Sequence, residues 1–397
     1  MPLKLSHFVY SSLNGYRPVY VSPDLPREFV SPLEALAKGV YLTAQRTDLY
    51  LWLRPPGTDD ICVVKGLRNG TDRAGRSRSC VHAVLFSASD AAGSWFFSPL
   101  SLPERVFVTP DSSLQSLPNE LLVEADVTPS SNLKPPEHLS RGTVASLLAL
   151  MLNPETNALI LDSRGDAVAA LRSMMWLVPP PARRHITVAA WTSTPAVETL
   201  GSARLTVLAP KSESLKTMPK PPVILEYPEG KVTEEDNDSL DDDDAAFNVY
   251  AEYVASNLGS DRGFERIKKL AGLLERHPPQ LELTQERYRH ILEGFGRVEH
   301  CIEEYGSFRI LDDVRSSLIA VKEFALGGQP SLALDILDTV VSFAVDHYDM
   351  DAESMKNALG KLRTNVEPGD RRFFEACRFL ADQLLAVAAS FDNASGG

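Results

Sequence analysis

Cys80 and His82 stand two apart in the apolar run from Cys80 to Phe86. In an extended strand such residues share a face, so a thiol and an imidazole are spaced here as a nucleophile and its base could be. That spacing makes a cysteine hydrolase one reading of the chain. The competing reading is a thiol and an imidazole packed in a β core, which needs no chemistry. The eight histidines show no HExxH spacing, and no GxSxG elbow occurs. The sequence therefore assigns no catalytic residues.

A second group is basic. Lys65, Arg68, Arg73, Arg76 and Arg78 fall within fourteen residues, with Gly70 and Gly75 between them. Guanidinium forks and exposed backbone N–H groups are what phosphate and carboxylate bind, so this stretch is the candidate anion or partner site. The alternative is a solvated loop whose charge aids solubility. Arg183-Arg184-His185 makes a smaller basic cluster. Asp162 ends an apolar run, as the metal-organising acid of a P-loop enzyme does. Nothing matches GxxxxGK[ST], however, and no GxGxxG follows a strand, so Asp162 is expected to be a surface acid. The run Asp241–Asp244 lacks the glycine and spaced ligands of a calcium loop and is expected to be a solvated tether. No metal and no cofactor is expected.

Composition sets the class. Hydrophobic residues at 44% and charged residues at 23% describe an ordinary globular chain. The net charge of −13 argues against nucleic acid as a partner, yet much of it is local. Ten acids and one base, Lys231, between Glu226 and Asp244 carry nine of the thirteen negative charges. Cys62, Cys80, Cys301 and Cys377 form no CxxC pair, which fits a reducing compartment. The first residues lack the apolar core of a secretion signal, and no apolar run approaches the roughly 20 residues that span a bilayer. A cytoplasmic location without membrane contact is expected.

These residues need elements to position them. His7–Tyr10, Asn14-Gly15 and Tyr16–Val21 spell a hairpin. Leu33–Lys38 is a short helix. Tyr50–Leu53, Ile61–Lys65, Cys80–Phe86, Ser94–Phe97 and Arg105–Thr109 are strands, with 66–79 a polar connection. Residues 1–127 thus form a β-rich N-terminal domain, and the Pro/Ser/Asn-rich stretch from Thr128 to His138 is a linker. Residues 139–210 alternate helix (Val144–Leu152), strand (Ala158–Leu161), helix (Asp166–Val178, closed by three prolines) and strands (Ile186–Trp191, Ala203–Leu208). That order predicts a small parallel α/β domain. Residues 211–244 look like a Pro/Lys-rich, then acidic linker. From 245 to 391, six or seven amphipathic helices predict an all-helical C-terminal domain, a bundle or short α-solenoid. The expected class is a multidomain α+β chain.

Three stretches carry a resemblance. They are Tyr10–Pro23, Asp72–Arg76 with the strand Cys80–Leu85, and Trp176–Val188, which contains Pro179-Pro180-Pro181-Ala182-Arg183-Arg184. In this order they resemble the bacterial GTPase-associated protein family, over about residues 6–210. Tyr16 stands where many members carry His, and Thr187–Trp191 departs from the usual strand wording, so the chain resembles a divergent member. The resemblance implies a non-catalytic adaptor or regulatory component that binds a protein partner, a GTPase or other NTPase, in bacterial defence or signalling. The other readings are an anion- or nucleotide-sensing protein using 65–78, and the cysteine hydrolase.

Overall fold

The computed structural model describes residues 3–11, 17–39, 48–58, 60–71, 77–87, 106–107, 124–125, 139–183, 185–190, 200–201, 203–210, 223–234, 248–301 and 311–348, with five single residues beyond. It is an α+β protein that divides into two compact units, Met1–Val178 with His185–Phe247, and Pro179–Arg184 with Asn248–Gly397.

The first unit begins with β1 (Leu3–Lys4), β2 (Ser6–Ser11) and β3 (Arg17–Val21), then α1 (Arg27–Gly39), β4 (Asp48–Leu53), β5 (Asp60–Thr71), β6 (Ser77–Ser87) and β7 (Glu124–Ala125). It continues through α2 (Arg141–Leu152), β8 (Ala158–Asp162) and α3 (Ala167–Met174). A 3₁₀ turn comes next; after the four-residue α4 (Pro180–Arg183), which belongs to the second unit, the first unit resumes with β9 (Val188–Ala190), β10 (Leu205–Leu208), β11 (Val223–Tyr227) and β12 (Lys231–Glu234). Apart from the small β1–β7 pair, these strands build one sheet in the order β12-β11-β8-β10-β9-β4-β5-β6-β2-β3. The strands β11, β8, β10 and β9 run parallel to one another, and the run from β4 to β3 is antiparallel.

This sheet corrects the expected separation of 1–127 from 139–210. β4 pairs antiparallel with β9 through Tyr50↔Ala190, Leu51↔Ala189 and Trp52↔Val188, joining the two regions. The reason lies in the residues of β4: Tyr50, Leu51, Trp52 and Leu53 are all buried, so the strand needs cover on both faces and a neighbour on both edges. One face carries Phe8, Tyr10, Leu51, Leu53, Cys62, Val64, Val81, Ala83 and Leu85. It packs against Leu25 and against Phe29, Leu33, Leu36 and Ala37 of α1.

A second correction concerns 211–244. Residues 223–234 are a hairpin, not a linker, because Val223, Leu225 and Tyr227 alternate inward while β11 extends the ladder of β8. Its turn docks on the start of α2, where Thr143 Oγ1 donates to the Pro228 carbonyl at 2.6 Å and Ser146 Oγ to the Gly230 carbonyl at 3.3 Å. The run Asp241–Asp244 and the strand expected at Ser94–Phe97 lie outside the described residues. Of Arg105–Thr109, Val106 and Phe107 are described; both are buried and neither is in a strand.

In the second unit, α5 (Val249–Asn257), α6 (Asp261–Arg276), α7 (Gln285–Val298), α8 (Leu311–Leu326) and α9 (Pro330–Tyr348) follow one another. Three of their starts carry side-chain caps. Asn248 accepts from the Tyr250 and Ala251 N–H groups, Ser260 from Gly263 and Thr284 from Arg287. Buried stripes such as Ile267, Leu270, Leu273 and Leu274 recur at helical spacing. α8 packs on α7 and α9. The part of the expected helical domain beyond residue 348 lies outside the described residues, save for five single helical positions.

Gly230 tests the docked hairpin. Its φ is +77°, and a Cβ there would lie 2.8 Å from Thr143 Oγ1 and 2.9 Å from the Thr143 backbone. Gly230→Ala is expected to cost about 2–4 kcal/mol in urea denaturation, through left-handed strain and overpacking. An unchanged midpoint would return this segment to the status of a tether.

Candidate functional site

The long hairpin β5–β6 carries the basic group. β5 holds Lys65, as the expected strand Ile61–Lys65 does, and also Arg68, while β6 holds Arg78, so Arg68 and Arg78 lie on strands where a polar connection was expected. The apolar, β-branched runs at each end of the stretch carry the ladder outward, and polar residues continue it. Arg73 and Arg76 lie outside the described residues, between the two strands.

The ladder gives this hairpin its character. β4 pairs with β5 from Leu53↔Cys62 to Asp48↔Leu67, and β2 pairs with β6 from Ser6↔Leu85 to Ser11↔Cys80. β5 and β6 continue past both limits, with Arg68 opposite Ser79 and Thr71 opposite Ser77, and a register shift between those pairs. Among the described residues, this outer part pairs only with itself. Within those residues it is a two-stranded arm that runs past the last pairs made by β4 and β2. Five bases and one acid, Asp72, lie between Lys65 and Arg78.

At the foot of the arm lies a cluster on the sheet face opposite α1. Lys65 sits directly across from His82, and its Nζ lies 4.5 Å from the Phe107 ring centre. His82 packs its ring edge-on to Phe107, at 5.5 Å between centroids. His82 Nε2 and His7 Nδ1 are 2.9 Å apart, both residues being buried, so one ring donates an N–H to the other's lone pair. Burial, with the neighbouring His7 and the Lys65 charge, holds His82 well below the usual histidine range. The two rings thus form a buried hydrogen-bonded pair in which His82 resists protonation.

That arrangement bears on the proposed nucleophile. Cys80 and His82 share a face, as the spacing predicts, but the ring nitrogen Nε2 of His82 is directed to His7. Burial pushes the Cys80 thiol up to about 11, away from the thiolate that attack requires. Cys62, on the opposite face, is pushed up to about 12, again chiefly by burial. His7 was missed in the sequence because its partner lies 75 positions away. Only the alternation of His7-Phe8-Val9-Tyr10 hints at which face it occupies.

Asp162 is a buried acid, not the surface acid expected. Its Oδ1 accepts from the Arg164 and Gly165 N–H groups at 3.0 and 2.6 Å, and its Oδ2 from the Ala167 N–H at 3.0 Å. It therefore ends β8 by capping the turn into α3. Three backbone donors satisfy this carboxylate, and its geometry is that of a structural cap. Arg183 is also structural: it is buried and ion-paired with Glu275 inside the second unit. His185 contributes its carbonyl oxygen, which accepts from Arg204 at 2.7 Å.

The histidine pair predicts an acid response. Above the ordinary histidine range both folded and unfolded chains hold His82 neutral. As pH falls below about 6.5, the unfolded chain takes up a proton that the folded chain refuses, so stability falls, by about 1.4 kcal/mol per pH unit for this group. Urea midpoints followed from pH 7 downward should show this slope and a flatter one in His82→Gln. Parallel curves would remove His82 as the source. Comparison of the chain with protein-family models gives no match, and comparison with curated proteins gives none either.

Proposed function

We propose that this chain is a non-catalytic adaptor or regulatory component that docks an acidic protein partner on its β5–β6 arm. The partner class we favour is a GTPase or other NTPase of a bacterial conflict or signalling system, a choice that rests on the resemblance of residues 6–210. The arm itself carries the proposal. Among the described residues, its strands carry Arg68 and Arg78 beyond the last pairs made by β4 and β2, and Arg73 and Arg76 fall between them in sequence.

Two further observations support binding over chemistry. The groups with catalytic potential are engaged structurally, Asp162 by backbone donors and His82 by His7. Among the described residues, the large apolar side chains that stand exposed are Val21, Leu326 and Phe379. Contact led by charge suits such a surface. It favours fast, salt-sensitive association over a large apolar interface.

The test uses the full chain and an NTPase encoded beside its gene. Association measured by biolayer interferometry should weaken at least tenfold on Arg73→Glu with Arg76→Glu, and should weaken with added salt. The thermal midpoint should stay at the wild-type value, so that the loss reports on docking and not on unfolding. Undiminished association would overturn the docking role of the arm. A thermal shift caused by a free nucleotide and lost in Arg73→Ala with Arg76→Ala would favour the nucleotide-sensing alternative.

A further inference from the structure

We infer that the helical unit holds a zinc ion at the turn after α7, bound by His300, Cys301 and Asp313. Nothing in the proposed docking role requires this site, and its test is independent of that role.

The three donors converge from two helices. α7 ends at Val298, and the Cys301 N–H donates to the Val298 carbonyl at 2.8 Å, fixing the turn that carries His300 and Cys301. Asp313 lies in the first turn of α8, which packs against α7. His300 Nε2 and Asp313 Oδ1 are 3.2 Å apart. One ligand atom from each of the three residues lies within 4.8 Å of the others. A tetrahedral zinc ion with Zn–S of about 2.3 Å and Zn–N and Zn–O of about 2.0–2.2 Å needs its ligands roughly 3.3–3.8 Å apart. From separations within 4.8 Å, the turn has to tighten by at most about 1 Å to reach that range.

The donor set selects the metal. A buried sulfur, an imidazole nitrogen and one carboxylate suit zinc, whereas calcium and magnesium take oxygen shells. Exposure is graded across the site: Cys301 is 9% exposed, Asp313 17% and His300 55%. The sulfur is thus shielded while the imidazole side opens to solvent, leaving the fourth position for water. Glu299, the adjacent carboxylate, is drawn instead to Arg266. Binding replaces the thiol proton, which is released to solvent, with the metal. The bland alternative is a His300–Asp313 hydrogen bond beside a buried thiol. It accounts for two of the three donors that converge here.

A second cluster makes a useful contrast. His290 Nδ1 lies 2.7 Å from Glu323 Oε2, its Nε2 lies 3.9 Å from Glu286, and Glu293 is close by. An imidazole bridging carboxylates across α7 and α8 is explained by pairing alone, and it offers no sulfur.

Cobalt(II) reports the difference. Titrated into the metal-free full chain, it should give the visible bands of a tetrahedral ion and the near-ultraviolet thiolate-to-cobalt band, at one equivalent and displaced by zinc. Cys301→Ser should abolish the thiolate band. His300→Ala and Asp313→Asn, changes at less buried positions, should weaken binding at least tenfold while circular dichroism stays native. His290→Ala and Cys377→Ser should leave the spectrum unchanged. Absence of a thiolate band in the wild-type chain would overturn the site, as would its persistence in Cys301→Ser. A cobalt spectrum abolished by His290→Ala would assign the metal to the other cluster and equally overturn it.

Discussion

The first unit depends on three residue pairs. Tyr50, Leu51 and Trp52 of β4 meet Ala190, Ala189 and Val188 of β9 at the seam between the parallel and antiparallel parts of the sheet. A strand buried on both faces cannot leave an edge unpaired, because each orphaned backbone group costs about 1–3 kcal/mol. β4 satisfies one edge with β5 and the other with β9. Valine and two alanines on β9 add little bulk at this junction, while Trp52 and Tyr50 supply bulk from β4. Everything outward follows from that pairing: the α1-covered face on one side, and on the other the face that holds His7, His82 and Lys65.

The two kinds of polar group in this unit have opposite fates. Those inside are satisfied locally and lose their reactivity. Asp162 exhausts its oxygens on backbone donors, and the two histidines hydrogen-bond to each other. Those outside gather on a pair of strands that outruns its neighbours. The ladder links these fates, since the strands that bury His82 and Cys80 also carry Arg68 and Arg78 beyond the sheet.

Much of this was legible locally. Asn14-Gly15 between alternating runs foretold the pairing of β2 with β3. Apolar content foretold β8 and β10, and the spacing of Ile267, Leu270, Leu273 and Leu274 foretold α6. The first part of α1 was hidden because Pro32, which ordinarily marks a helix start, sits inside the helix. β11 was hidden differently. Its five residues stand between a Lys/Pro-rich stretch and an acidic one, and composition averaged over that window masks an alternation of three buried side chains. The seam, the histidine pair and the His300–Cys301–Asp313 cluster were illegible for a common reason. Each joins residues whose proximity is decided by packing at a distance in sequence.

The same limit explains Arg183, which the sequence places in a basic cluster and the fold places against Glu275. Burial lowers Arg183 and raises Glu275, each toward its neutral form, while their mutual attraction opposes both shifts. The desolvation cost is large for both ions, so such a pair adds little net stability compared with apolar residues of the same shape. Its value is discrimination. Removing either partner strands a buried charge, so the segment Pro179–Arg184 has one low-energy place to go, among the helices of the second unit, although the chain on either side of it belongs to the sheet. A basic residue that reads as a surface feature in sequence thus specifies which core a four-residue helix joins.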